Sequence, residues 1–194
     1  MTSEAGMTAR RGGIPWRPIL WAIPVALLTL PAVAMQYTRE VNWTLFDFIF
    51  AAMMFGSVGL VLELAVRSSR NIAFRVAVLM AVAAAFLTIW INGAVGVIGD
   101  EDNPANLMFG AVLAVALLGS IAALFRAPGL ARAMFAAAAV QVAVGVIALA
   151  GNMASGPAAP YDVLGFSTFL TGMWLVSGAL FRKAAKAIKA EAKG

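Results

Sequence analysis

Six stretches of the chain, at 18 to 36, 45 to 66, 72 to 98, 105 to 125, 132 to 152 and 163 to 181, stay apolar for the length a helix needs to cross a bilayer. A hydrocarbon core of about 30 Å takes roughly 20 residues at helical rise, and only helices or closed barrels cross it with every backbone group satisfied. The runs are continuous, unlike the ten-residue alternating segments of a barrel strand. They predict an all-α polytopic membrane helix bundle of six transmembrane helices. A tail at 1–17 precedes the helical domain at 18–181, and a basic tail follows at 182–194. Only 12% of the residues are charged, about half the share of a soluble domain, so water is not the main solvent of this chain.

The charged minority sets the orientation. Arg10, Arg11 and Arg17 precede the first run, Arg67, Arg70 and Arg75 surround the second connection, and Arg126 and Arg132 surround the fourth. Arg182, Lys183, Lys186, Lys189 and Lys193 follow the last run, so Arg39 alone of the 14 Lys and Arg residues falls on the opposite side. By the positive-inside rule both termini face the cytoplasm. Glu40, Asp47, Asp100, Glu101, Asp102 and Asp162 gather at the other side. The net charge of +5 therefore reads as a membrane-surface signal and not as a nucleic-acid one. Basic residues, the apolar stretch Ile19 to Leu30 and Ala32-Val33-Ala34 also make a signal-peptide pattern, so the first run is either a span or a cleaved leader.

The chain has no His and no Cys. Zinc in its common ligand sets, His- or Cys-held haem, Ser-His and Cys-His nucleophiles and thiol redox work all need residues that are missing. The expectation is a non-enzymatic protein with no cofactor and no metal. Intramembrane aspartyl proteolysis is set aside as well: Tyr161-Asp162 matches half of its signature, but Gly99-Asp100 lacks the Gly that the second half requires.

Polar residues within spans are costly and become functional candidates. Asp47 follows Thr44 by three residues, a capping pattern at a helix start that leaves ion or proton handling as the alternative. Glu63 precedes Arg67 by one turn, which suits an ion pair. Its face also carries Ala52, Gly56 and Gly59, a small-residue stripe expected to turn inward, where a desolvated Glu can carry protons. Asp47 and Glu63 are about 24 Å apart along one helix and form no dyad.

The third run bears Ala84, Thr88, Asn92, Gly96 and Asp100 at four-residue spacing, a polar track if the helix is continuous. Asn92-Gly93 is equally a helix stop, which would make 94–99 an apolar loop. Gln141 falls near the middle of the fifth run and must bond a neighbouring helix or line a wet cavity. Asp100, Glu101, Asp102 and Asn103 form the most polar loop. Asn103-Pro104 reads as a helix cap and first turn, with partner docking and cation binding as the other roles.

Placing Arg67, Arg126 and Arg182 in register aligns Asp47, Asn106 and Asp162, which invites a reading as three similar hairpins. Trp16, Trp21, Trp43 and Trp90 lie near predicted span ends, where interfacial tryptophans sit, whereas Trp174 lies deeper and should pack between helices. Arg182, Lys186, Lys189 and Lys193 recur at helical spacing, so a helical tail would lay one basic face on anionic lipid.

Glu40-Val41-Asn42-Trp43 with Asp47-Phe48, and Asn103-Pro104-Ala105-Asn106-Leu107, resemble signatures of small multi-spanning bacterial inner-membrane proteins without an assigned function. The resemblance covers roughly residues 40 to 110 and implies a bacterial inner membrane. It carries no activity, ligand or site residue with it.

The leading expectation is a protein that binds or moves a small solute or ion, working as a homo-oligomer or with a membrane-protein partner. Its candidate residues are Glu63, Asn92, Gln141, Asp47 and Thr88. The alternative is an accessory or assembly subunit of a larger membrane complex that docks through its acidic loop. A third possibility is recognition of a lipid or pigment in a groove between helices.

Overall fold

The computed structural model describes residues 16–154 and 159–192. Arg10, Arg11 and Lys193 lie outside them. Among the described residues six α-helices follow one another: α1 (Trp16–Tyr37), α2 (Leu45–Ser68), α3 (Ile72–Ala94), α4 (Phe109–Ala122), α5 (Ala127–Ala150) and α6 (Ala159–Glu191), with a 3-10 turn at Pro104–Met108 leading into α4. No strand occurs among the described residues. Among the described residues five segments are long and apolar enough to cross a membrane: α2, α3, the turn with α4, α5, and α6 from Pro160. The Trp21–Tyr37 part of α1 is shorter and holds Pro24 and Pro31, each of which removes a backbone donor. The architecture is that of a multi-pass membrane protein.

The chain divides into two compact units at Gly59/Leu60, within α2. In the first, the Trp21 ring of α1 lies against Gly59, where an added Cβ would stand 3.3 Å from it. Trp21 therefore packs on a helix instead of serving only as an interfacial anchor. The small-residue face of α2 closes only at this point. Ala52 is exposed, and Gly56 has nothing near a would-be Cβ, contrary to the inward stripe expected from spacing; Ala51 and Met54 are buried instead.

In the second unit α6 packs on α3 and on α5, and α5 packs on α4. Between helices surrounded by lipid, burial of apolar surface gives little drive, so close van der Waals packing of small residues carries the association. α5 is built for this. Ala127, Gly129, Ala131, Ala133, Ala137, Ala138, Gly145 and Ala148 are all buried. A Cβ at Gly119 of α4 would stand 2.8 Å from the Ala133 Cβ, and one at Gly145 would stand 3.0 Å from the Ser167 hydroxyl of α6. On its other side α6 is tied to α3 by the Ser177 hydroxyl, which donates to the Ala77 carbonyl at 2.8 Å, and by an edge-to-face contact between Phe74 and Phe181 at 5.4 Å.

The third run is not one helix. α3 ends at Ala94, and the backbone turns through two left-handed glycines, Gly96 at φ 72 and Gly99 at φ 79. Gly96 and Asp100 thus leave the four-residue track. Val97 and Ile98 fold inward and join the core with Phe109 and Val112, so the 94–99 segment is an apolar plug. At the other end of the unit, α6 continues without a break to Glu191. Its 33 residues extend about 50 Å at helical rise, which carries the basic segment beyond a bilayer core as helix.

Candidate functional site: buried polar atoms around Gln141

Gln141 is fully buried, at 0% exposure, midway along α5. Neither its amide oxygen nor its amide nitrogen finds a hydrogen-bond partner among the described residues. The same holds for Oδ1 of Asn92 on α3 and for the Ser167 and Thr171 hydroxyls and the Trp174 indole N–H on α6. Trp174 is buried at depth, as its position in the sequence predicts.

Packing brings several of these groups to similar depths. Gly145 lies against Ser167, and Gly178 against Phe135. In this antiparallel pair Gln141, one turn from Gly145, comes level with Thr171, one turn from Ser167. The contacts of Ser177 with Ala77 and of Phe181 with Phe74 set the register of α3 in the same way, and Thr171 and Ser167 come level with Ala84 and Thr88. Two successive layers result, one with Gln141 and Thr171, the next with Thr88 and Ser167.

Not all of this polarity is free. The Thr88 hydroxyl donates to the Ala84 carbonyl at 2.7 Å, and the Asn92 amide nitrogen donates to the Thr88 carbonyl at 2.7 Å. These bonds turn back onto α3 itself. A buried donor or acceptor left unmade costs about 1–3 kcal/mol, so the remaining orphan atoms form a site with unspent hydrogen-bonding capacity. None of these groups is ionisable. The site can hydrogen-bond in both senses, and among the described residues it holds no carboxylate or amine.

A groove of about 350 Å³ runs between α5 and α6 at the depth of these layers, past Ser167 and Thr171 but not past Gln141 or Thr88. Val142, Gly145 and Val146 form one wall, and Ser167, Thr171 and Gly172 the other. It is largely apolar with two orphan hydroxyls on one side.

The other predicted residues lie elsewhere. Glu63 is buried and receives a hydrogen bond from the Arg67 guanidinium at 2.5 Å, in the last two turns of α2. Asp47 accepts from the Thr44 N–H at 2.7 Å and from its hydroxyl at 2.8 Å, while the Asp47 N–H donates back to Thr44 Oγ1 at 3.3 Å; this is a reciprocal cap at the start of α2. Asp100, Glu101 and Asp102 are exposed. Asn103 caps the 3-10 turn through Oδ1 to the Ala105 N–H at 3.0 Å, and its amide donates to the Met153 carbonyl at 2.8 Å, tying this loop to the segment after α5. Among the described residues no cluster of three or more acidic side chains could hold a metal ion.

Sequence reasoning passed over Ser167 and Thr171. Their spacing of one helical turn was the available signal, but hydroxyls in apolar helices usually bond the carbonyl one turn back, as Thr88 does. It also gave Asn106 no structural role. This residue is buried, and its Oδ1 accepts from the Val97 and Ile98 N–H groups at 3.1 and 2.8 Å while its amide donates to the Asp100 carbonyl at 2.7 Å. It fixes the apolar plug.

Comparison with protein-family models, with curated proteins and with solved structures finds no match for this chain.

Proposed function

We propose that the chain is a non-enzymatic bacterial inner-membrane protein, with both termini cytoplasmic and α1 as a sixth span, that binds or moves a small solute or ion. The polar layers of α3, α5 and α6 are its site. The observation that carries this reading is Gln141, wholly buried with both ends of its amide unpartnered. An amide retained only for adhesion between helices would have a partner across the interface. The uncharged lining and its mixture of donors and acceptors favour a neutral polar solute over an ion.

The test is osmotic. Proteoliposomes are given a step in osmolarity, and permeability to water and to glycerol is followed by light scattering. Gln141→Leu removes an unsatisfied amide, so the variant should be as stable as the parent or more so, with permeability to the transported probe lowered at least tenfold. If permeability does not change, the solute reading fails. If the variant instead melts at a lower temperature, adhesion is the role of Gln141.

The alternative, an accessory subunit docking through its acidic loop, has its own support. Asp100, Glu101 and Asp102 are exposed on a loop whose backbone is held by Asn106 and Asn103. It predicts a stoichiometric partner on purification from native membrane, lost when the three acids become Ser. A solitary homo-oligomer would count against it.

A further inference from the structure

A further depression on the α3–α6 unit lies where α6 passes its last apolar turn. It has a volume of about 330 Å³ and is lined by Ala179, Arg182, Lys183 and Lys186. Three cations meet over little more than one turn, and among the described residues none of them is paired with a carboxylate. The arrangement is partly preset: the Arg182 guanidinium lies 5.8 Å from the centre of the Phe135 ring of α5. Phe135 in turn fits against Gly178, where a Cβ would come within 3.0 Å of the ring. A cation over an aromatic face is held without its N–H groups being consumed, so they stay available for an anion.

The same face of α6 continues as a mostly apolar strip. Leu164, Thr168, Gly172, Leu175 and Ala179 precede Arg182 and Lys186 at steps of three or four residues, which keeps them within one quadrant or so of the helix. Leu175 and Gly172 form the near end of the α5–α6 groove. Between Gly172 and Arg182 the helix rises about 15 Å, which is half a hydrocarbon core of about 30 Å. A cationic pocket at the membrane boundary thus lies in line with a largely apolar groove whose near end, at Leu175 and Gly172, is near mid-membrane.

We infer that this face of α6 is a binding site for an anionic phospholipid. The Arg182, Lys183 and Lys186 side chains take the headgroup phosphate, and one acyl chain runs past Ala179 and Leu175 to the near end of the groove. Charge complementarity selects the headgroup, and the length of one leaflet selects a lipid over a soluble anion. The assignment differs from a basic stripe spread along the tail, because Lys183 belongs to the site and Lys189 does not. It stands whether or not the polar layers carry a solute.

The test uses the full chain purified in detergent, with phosphatidylglycerol and phosphatidylcholine as the added lipids and inorganic phosphate as the soluble control. Binding is read by native mass spectrometry and by the shift in melting temperature. Phosphatidylglycerol should bind and raise the melting temperature, whereas phosphatidylcholine and millimolar phosphate should do neither. Replacing Arg182, Lys183 and Lys186 together by Gln should weaken phosphatidylglycerol binding about a hundredfold, three near-surface charges being removed. Lys189→Gln should leave it within about twofold. The site is overturned if Lys189→Gln weakens binding as much as the loss of one pocket cation, which would make the attraction diffuse. It is equally overturned if phosphate alone reproduces the thermal shift, or if the triple variant binds like the parent.

Discussion

Asn106 shows how much one side chain can hold in a loop. Its Oδ1 satisfies two buried amides, those of Val97 and Ile98, and its Nδ2 reaches the Asp100 carbonyl. Asn106→Ala leaves two buried N–H groups unmade at about 1–3 kcal/mol each, so a loss of about 2–6 kcal/mol is expected. Amide exchange of Val97 and Ile98 should accelerate while that of α5 stays slow, and unchanged protection at these two positions would refute the assignment. Local chemistry made some residues legible in advance. Thr44 with Asp47, and Asn103 with Pro104, cap their own next turn, so a few residues of sequence contain both partners. Asn106 bonds residues eight and nine positions earlier in the chain, and only the fold of the plug brings them within reach. The orphan atoms of Gln141, Ser167 and Thr171 were harder still, since an absent partner is a property of three helices at once.

At the scale of the element, spans were legible because apolar length is a property of the chain alone, whereas their ends depended on special conformations. α3 stops where Asn92-Gly93 allowed it to stop, and the left-handed Gly96 completes the turn; a Cβ there would collide with the Asp100 carbonyl. The α4–α5 turn is less readable, because two residues that rarely adopt positive φ do so: Leu124 at 48 and Phe125 at 55. The Phe125 N–H reaches back to the Ser120 carbonyl at 3.1 Å, which closes the end of α4. Packing between elements gives a sharper test. Gly119 meets the Ala133 Cβ and Gly145 meets Ser167, whereas Gly165, on the outer surface of α6, meets nothing within 4 Å. Gly119→Val and Gly145→Val should each destabilise the bundle by about 1–3 kcal/mol through overpacking, and Gly165→Ala should leave it unchanged or slightly firmer through helix propensity. Thermal melts in detergent of the three variants decide the matter. Equal melting temperatures would mean that the close approaches do not hold α5 in place.

For the molecule as a whole, the distribution of charge argues an orientation that the helices alone do not. α3, α5 and α6 are antiparallel to their packing partners, so within the second unit Arg75, Arg126, Arg132 and the cations of α6 share one end, and the loop of Asp100, Glu101 and Asp102 lies at the other. Short cytoplasmic loops carry the excess of Lys and Arg, and the bias sums over four separate segments, so a single misplaced residue such as Arg39 does not reverse it. The absence of Cys turns this into a clean experiment, because any introduced thiol is the only one. Lys189→Cys and Glu101→Cys both fall on exposed positions outside the proposed lipid pocket and the capping bonds, so neither should disturb the fold. In intact cells a membrane-impermeant maleimide should label Glu101→Cys from the periplasm, and Lys189→Cys should react only after the inner membrane is opened. Labelling of Lys189→Cys in intact cells would invert the topology. The acidic loop would then face the cytoplasm, and a periplasmic docking partner would be excluded, while the chemistry of the buried polar layers, which depends only on packing within the unit, would stand.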